Sequence, residues 1–325
     1  MINQRFSQNI RHAVFVISAL LLSACSTKKE SISVKDSNEQ IKHEEIFHLY
    51  ENISRPFSLN SYQAGEPARK IKQIGNNASG ITWDPHQKQY FIIQNNSAIL
   101  YRFDSEFKYQ GKLKKAGKIH QDTEGVSFID GTKMLIATEA NAVYVIEVNQ
   151  SVYDRGYFSS SLGLRFAGRP PVKNKGIEST AYRVGSGSRK ARYYAAVEGT
   201  GRSPQSKMRV LYVDADVKSG FFDAFRSYDS NLTVTEPFDA EAAFAGVITD
   251  IAGMTFDPFG ETLLILSQES RKLIQVHPET GEVLAQLKLS GAPVYEGVTI
   301  GPNGELVFVS EKNWVQVYPR KLKTN

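Results

Sequence analysis

The 325-residue sequence predicts an all-β protein, and three observations favour a β-propeller. No extended segment after residue 60 has the periodicity of an amphipathic helix. Turn sequences separate short β-type segments at regular intervals. One pattern of three such segments recurs five times, with copies that begin at Ser79, Glu124, Glu178, Ala252 and Glu296. Four-stranded antiparallel sheets repeated at this spacing close into a ring of blades, which removes exposed sheet edges.

The strands of each copy follow from its turns and its apolar runs. The first two strands are joined by turn sequences such as Asp84-Pro85 and Asp130-Gly131. Proline fits the first central position of a tight turn and glycine fits the left-handed positions, so these segments predict hairpins. The second strands are nearly continuous apolar runs at 90–94, 134–138, 193–197, 263–267 and 306–310. Such runs are typical of strands buried on both faces, whereas the third strands alternate.

The spacing of the copies predicts five blades. Their first residues lie 45, 54, 74 and 44 positions apart. The long third interval leaves six blades as an alternative. Insertions at 185–188 and 199–207 account for part of that interval, and 221–245 holds no further copy. The last copy ends at Tyr318 without an outer strand, and we expect residues 68–74 to supply it and close the ring.

Acidic residues recur at two points of the repeat in four of the five copies. The innermost strand of a blade runs antiparallel to the second strand, so the start of one and the end of the other lie on the same face of the ring. Acids at or just before the start of the innermost strand are Glu124, Glu178, Asp250 and Glu296. Acids at the end of the second strand are Glu139, Glu198, Glu269 and Glu311. The first copy has neutral Ser79 and Asn95 instead, so four blades are expected to aim carboxylates at one mouth of the central channel.

Carboxylates gathered at one mouth repel one another, so some must be protonated, hydrogen-bonded or bound to a metal. Oxygen-only ligands with flexible spacing favour calcium over zinc or copper, and the eight acids are therefore candidate calcium ligands. Two alternatives stay open. The acids brace the ring by accepting hydrogen bonds from neighbouring blades, or two of them form a catalytic pair. Because the sequence has no HExxH, GxSxG or phosphate-cradling motif, we assign no catalytic residue.

A basic loop follows Glu198 directly in the chain. It carries Arg202, Lys207 and Arg209. These cations would bind an anionic ligand if the loop folds over the acids, and a solvated loop is the alternative.

Residues 1–24 resemble a bacterial lipoprotein signal peptide. Arg5 and Arg11 form a basic region, 13–22 is apolar, and 22–25 (LSAC) resembles a lipobox. The apolar run is shorter than the ~20 residues of a membrane-spanning helix. Cys25, the only cysteine in the chain, is the expected site of fatty acylation of the palmitate type. Ordinary signal cleavage just before this residue is the alternative.

The remainder of the sequence divides into a tether and one large domain. Residues 25–46 have few large apolar groups and many charges, so we expect a flexible tether. Residues 47–325 are ample for a single propeller domain. An acylated Cys25 would hold this domain in the cell envelope, facing the periplasm. The following Ser26 favours the outer over the inner membrane.

The charge of the chain bears on its partners. The formal net charge is +5, and loss of residues 1–24, which hold two arginines and no acid, leaves +3. This excess is too small to indicate nucleic-acid binding. The expected partners are the membrane, reached through the lipid anchor, and an envelope protein or small ligand.

The repeat also resembles a known family. Segments 77–85 (NASGITWDP), 122–126 (DTEGV) and 250–258 (DIAGMTFDP), each followed by a strand that ends in Asn or Glu, are similar to the SdiA-regulated propeller family over roughly residues 68–320. The third copy departs most, because Glu178 is followed by Ser179 where others have glycine. This family is similar to phytase-type propellers and occurs on envelope lipoproteins. The resemblance implies a link to calcium and no established enzymatic activity.

The residues and the resemblance together predict a calcium-associated binding or sensing module of the cell envelope. We expect it not to be an enzyme. One alternative is a calcium-dependent phosphoesterase, in which bound ions polarise a phosphate and activate water. The other is a structural platform for protein interactions.

Overall fold

Five antiparallel sheets follow one another along the described chain, and each corresponds to one copy of the repeat. The structure is a computed structural model, and it describes residues 57–62, 64–115, 122–165, 176–186, 188–199, 207–215 and 233–321. The innermost strands contact one another from sheet to sheet and back to the first sheet, which closes a ring. These described residues form a five-bladed β-propeller, as predicted, and they contain no sixth sheet.

The first two blades follow a short N-terminal strand, β1 (Arg69–Lys70). Blade 1 contains β2 (Ala78–Asp84), β3 (Gln89–Gln94), β4 (Ile99–Asp104) and β5 (Tyr109–Lys115). Blade 2 contains β6 (Thr123–Asp130), β7 (Lys133–Thr138), β8 (Ala142–Glu147) and, beyond an insertion, β10 (Ser160–Arg165). The insertion holds the helix α1 (Gln150–Arg155) and the strand β9 (Tyr157–Phe158).

The last three blades repeat this plan. Blade 3 contains β11 (Ile177–Arg183), β12 (Ala191–Val197) and β13 (Arg209–Ala215), and the short helix α2 (Ala240–Ala243) follows it. Blade 4 contains β14 (Gly253–Asp257), β15 (Thr262–Ser267), β16 (Lys272–Val276) and β17 (Val283–Lys288). Blade 5 contains β18 (Tyr295–Ile300), β19 (Leu306–Ser310) and β20 (Trp314–Tyr318).

The ring closes by joining the two ends of the propeller in blade 5. Strand β1 pairs antiparallel with β20, so that Arg69 lies opposite Val315 and Lys70 opposite Trp314. This pairing confirms the prediction that a segment ahead of the first copy supplies the missing outer strand. A two-residue strand is short, and one further bond, from the Glu66 amide to the Val317 carbonyl at 2.8 Å, extends the contact.

The insertion in blade 2 reaches across to blade 1. Asn149 caps α1 by accepting a bond from the Val152 amide at 3.0 Å, and Gly156 ends the helix in the left-handed conformation with φ of 72°. The chain then enters β9, which pairs parallel with β5 as a fifth strand of blade 1. The helix is only six residues long, which is too short for sequence periodicity to reveal it.

The core of the propeller lies between adjacent blades. The second strands are the most buried, and residues 263–266 of β15 are fully enclosed. Between blades 3 and 4, the rings of Tyr194 and Phe256 stack with centroids 6.1 Å apart. Each large apolar side chain enclosed in this way contributes about 1.5–3 kcal/mol to folding. This packing holds the innermost strands, and therefore the mouth of the channel, in fixed positions.

Candidate functional site

Glycines allow the innermost strands to pack edge against edge at the acidic mouth. In blades 1, 2, 4 and 5 a glycine follows the first residue of the copy. A β-carbon added to Gly125 would lie 2.7 Å from the Cα of Ser179, and one added to Gly297 would lie 2.8 Å from the Cα of Gly80. Separations this short are repulsive, so only glycine permits such close approach. The Glu-Gly pattern therefore reflects strand packing as well as the placement of acids.

A β-bulge marks the acid position in four blades. The pairing between the innermost and second strands shifts register at Ser79, at Glu124, at Glu178 and at Glu296. A bulged residue is left out of the pairing, and its side chain is turned away from the regular alternation of the strand. In blade 4, β14 pairs with β15 without a shift, starting at Gly253. The bulges thus present three glutamates at one end of the channel.

Backbone hydrogen bonds place the ends of the second strands beside these bulges. The Glu139 amide donates to the Asp122 carbonyl at 3.1 Å in blade 2, and the Glu311 amide donates to the Val294 carbonyl at 3.0 Å in blade 5. Blade 1 has the equivalent bond from the Asn95 amide. The start of the innermost strand and the end of the second strand therefore share one face of the ring, which is the geometry that the repeat predicts.

Glu124 is the most enclosed of the three bulged glutamates, with 7% of its surface exposed. Burial, followed by the charges of Glu139 and Glu296, raises its pKa to about 9. One of its oxygens, Oε1, accepts a hydrogen bond from the Asn95 side chain of blade 1 at 2.6 Å. This carboxyl therefore holds a proton at neutral pH unless another positive charge replaces it.

Glu178 and Glu296 experience the same environment from the neighbouring blades. Burial and the charges of Glu124 and Glu198 raise the pKa of Glu178 well above its ordinary value. Burial and then the charge of Glu311 raise the pKa of Glu296 to about 8. Both side chains are half-buried. The structure thus brings acids from blades 2, 3 and 5 close enough to disfavour one another's ionisation.

Asp250 of blade 4 is engaged differently from these glutamates. Its carboxylate is fully buried and accepts bonds from the Ser267 hydroxyl and from the Gln268 amide at 3.0 Å. The Glu269 amide adds a third donor at 3.2 Å. Burial raises the pKa of Asp250, whereas these bonds lower it. Its oxygens therefore fix the turn after β15 within its own blade, whereas the bracing alternative expected bonds from a neighbouring blade.

Two other candidate ligands lie in solvent. Glu269 and Glu311 are exposed, at the ends of β15 and β19. The charge of Glu311 still raises the pKa of Glu296. Glu139 and Glu198 are half-buried and act on the pKa of Glu124.

The basic loop was expected to bring positive charges to the acidic mouth, but its two described cations are paired or exposed. Arg209 forms an ion pair with Glu236, with Nη2 and Oε2 2.7 Å apart. Lys207 is exposed. Arg202 lies outside the described residues, as do Cys25, the expected signal peptide at 1–24 and the expected tether at 25–46.

Asn95 is the residue of this site that the sequence pattern undervalues. It occupies the position at which the other four copies carry a glutamate, so it counts there only as a missing acid. The structure makes it the donor to Glu124. Its position in the repeat, where the other copies have glutamate, was the signal in the sequence that could have identified it as part of the site.

The described residues contain no group of three or more His, Cys, Asp or Glu side chains arranged to hold a metal ion. In the same part of the chain, no helix is both long enough and apolar enough to span a membrane.

Most of the chain matches one known family. The model of a family described as SdiA-regulated matches residues 54–318. The chain belongs to the SdiA-regulated family. The match covers all five blades of the propeller, including β1, which closes the ring.

Several solved structures share the fold of this SdiA-regulated protein at low sequence identity. A glucose dehydrogenase has a TM-score of 0.50 and 9% identity, and the match covers 78% of this chain and 99% of that one. Glutaminyl cyclase from Myxococcus xanthus has a TM-score of 0.48 and 14% identity over 78% and 98% of the two chains. Regucalcin from Agrobacterium tumefaciens, described as a calcium-binding protein, has a TM-score of 0.44 and 10% identity over 81% and 96%. These likenesses concern the fold alone.

Proposed function

We propose that the acidic mouth binds calcium, and that this SdiA-regulated propeller works as a binding or sensing module of the cell envelope. One observation carries the proposal: Glu124, Glu178 and Glu296, from three different blades, all have raised pKa values because they are partly enclosed and lie near other acids. A divalent cation would take the place of the protons that these carboxyls otherwise keep.

The donor set suits a hard cation. It consists of carboxylate oxygens, with Glu139 and Glu198 next to the three bulged glutamates. Calcium takes about six to eight oxygen ligands in flexible geometry, and carbonyl groups and water complete its shell. Because no ligand group is already assembled among the described residues, binding would require the carboxylates to move together.

Calcium uptake at this mouth should release protons. Glu124 and Glu296, with pKa values of about 9 and 8, are largely protonated at pH 7. A ligating carboxylate must be ionised, so the apparent calcium affinity should rise as the pH increases from 7 to 9. Calorimetric titration in two buffers of different ionisation enthalpy measures the protons released. Calcium binding without proton release would contradict this assignment.

Variants of individual glutamates test which acids take part. We expect Glu178→Gln and Glu296→Gln each to weaken calcium binding about tenfold or more, equivalent to ~1.4 kcal/mol. The matched control is Glu269→Gln, because Glu269 lies exposed at the end of β15. Its calcium affinity should equal that of the unmodified protein. Unchanged affinity in both of the first two variants would place the ion elsewhere.

We favour binding over hydrolysis because the two cations of the basic loop that lie among the described residues are paired or exposed. A phosphoesterase needs positive groups beside its metal ions to bind the phosphate. Arg209 is already paired with Glu236, and Lys207 is exposed. Incubation with phytate and with a model phosphomonoester at saturating calcium tests this choice, and phosphate release that disappears in Glu178→Gln would overturn it.

The envelope location rests on Cys25 and the segment before it. We expect the chain to incorporate radiolabelled palmitate and to sediment with the outer membrane. Cys25→Ala should abolish both properties. A soluble periplasmic Cys25→Ala protein that binds calcium normally would separate anchoring from the function of the mouth.

A further inference from the structure

The end of the channel opposite the acids contains a cavity. It lies three to six residues further along the innermost strands, which corresponds to about 10–20 Å at 3.3 Å per residue. All five innermost strands contribute to its wall, through Thr82, Ser127, Ala181, Thr255 and Thr299 at equivalent positions. The residue that follows each of these is aromatic in four blades and isoleucine in the fifth: Trp83, Phe128, Tyr182, Phe256 and Ile300. The repeat therefore builds a second chemical environment at this end.

The wall of this cavity is neutral. None of its fourteen lining residues carries a charge. The nearby Asp84 and Asp257 are not among them, and their carboxylates accept bonds from the backbone amides of their own turns. A charged ligand would gain no partner here and would lose its hydration. The occupant must therefore be uncharged.

Two threonine hydroxyls of the wall remain available as donors, whereas the Ser127 hydroxyl already donates to the Thr180 carbonyl. The Thr82 hydroxyl accepts a bond from the Phe128 amide at 2.9 Å, and the Thr299 hydroxyl accepts one from the Trp83 amide at 3.2 Å. Each hydroxyl hydrogen then remains to be donated. Trp83 also lines the wall, but its indole nitrogen is enclosed by the protein and out of a ligand's reach, so the threonine hydroxyls are the donors available here.

The size of the cavity limits what can enter. Its volume is about 80 Å³, roughly half of the ~150 Å³ engineered cavity that binds benzene. This space suits a group of a few heavy atoms, while the rest of a larger molecule stays outside. We propose that this cavity binds the short acyl group of a neutral ligand, whose carbonyl oxygen accepts hydrogen bonds from the Thr82 and Thr299 hydroxyls beside Trp83.

A titration that observes Trp83 directly tests the proposal. The chain has two tryptophans, so the ¹⁵N-labelled protein gives two indole N–H signals, and Trp314→Phe assigns them. Propionamide should shift the Trp83 signal saturably and leave the Trp314 signal in place. The matched probe n-propanol, of similar size but without a carbonyl group, should produce a shift at least several-fold smaller. A Trp83 signal that neither probe moves, as expected if ordered water occupies the site, overturns the proposal.

A substitution that fills the cavity provides a second test of the proposal. Thr255 lines the wall, and its side chain makes no hydrogen bond to other described residues, so Thr255→Phe removes space without breaking a side-chain bond. This variant should lose the response to propionamide and keep its calcium titration. Thr255→Val, which keeps the size of the side chain, should retain the response and controls for misfolding. An unaltered response in Thr255→Phe also overturns the proposal.

Discussion

Blades 2 and 4 carry the same repeat, but their acidic residues have different roles. In blade 2 the bulged Glu124 is enclosed, receives one hydrogen bond from Asn95 and has its pKa raised to about 9. In blade 4 the innermost strand has no bulge, Ala252 replaces the glutamate, and Asp250 is fully occupied by three donors. The repeat supplies the positions, and the local hydrogen bonds decide whether a carboxylate is available or serves as a brace.

The largest expected effect comes from breaking the brace in blade 4. Asp250→Ala leaves the Ser267 hydroxyl and the amides of Gln268 and Glu269 without their acceptor. We expect the free energy of unfolding to fall by about 2–4 kcal/mol, because buried donors to a charged group lose their partner. Urea denaturation measures the loss. Calcium affinity should change little, and a large drop in affinity would instead make Asp250 part of the ion site.

The next effect is a dependence of stability on pH that originates in blades 2, 3 and 5. The ordinary glutamate pKa of 4.5 is raised to about 9 in Glu124 and about 8 in Glu296. The folded protein therefore binds more protons than the unfolded chain above pH 4.5, and stability declines as the pH rises until these carboxyls ionise. We expect a lower urea midpoint at pH 8 than at pH 5 without calcium. Saturating calcium should remove most of the difference.

Glu124→Gln tests the pH dependence of stability at a single carboxyl, so its effect should be smaller. Glutamine keeps the shape of the side chain and cannot ionise, so the variant should match the unmodified protein near pH 5. At pH 9 it should be more stable by at least about 1.4 kcal/mol, the equivalent of one pKa unit, because the unmodified carboxyl must then either keep a proton or ionise inside the fold. Thermal unfolding at both pH values measures this. Equal stability at pH 9 would show that the site already relaxes around the ionised form.

The smallest effect concerns the amide that supports Glu124. Asn95→Ala removes the 2.6 Å hydrogen bond to Oε1. A bond of this kind contributes about 0.5–1.5 kcal/mol to stability, and a loss in that range is expected at pH 7. Chemical denaturation measures it. A loss as large as that of Asp250→Ala would mean that the bond between blades 1 and 2 stabilises the fold as strongly as Asp250 stabilises its own turn.

The fold was largely predictable because its signals are local and repeated. The hairpin turns, the apolar second strands and the closing segment near Arg69 are all read from neighbouring residues. The insertion was missed, since α1 is one short helix and β9 pairs with a strand some forty residues earlier.

The site was predictable in position and less so in the state of each acid. In the repeat, Asp250 stands two residues before the position of Glu124, and both are grouped as acids of one mouth because the sequence pattern counts carboxylates and not the donors around them. The pairing of Arg209 with Glu236 joins residues far apart in the chain, so a local pattern could not show it. The aromatic positions such as Trp83 are visible in the repeat, but their convergence around a cavity depends on ring closure.

The pairing of β1 with β20, extended by backbone bonds from Glu66 to Val317 and from Ile71 to Asn313, is the clasp that closes the ring. A fragment starting after Lys70 would keep the acids of the mouth and the aromatic residues of the cavity, yet β20 would present unpaired amides and carbonyls along its outer side. Strand edges of that kind recruit other chains. Proteolytic trimming near this clasp would therefore favour self-association.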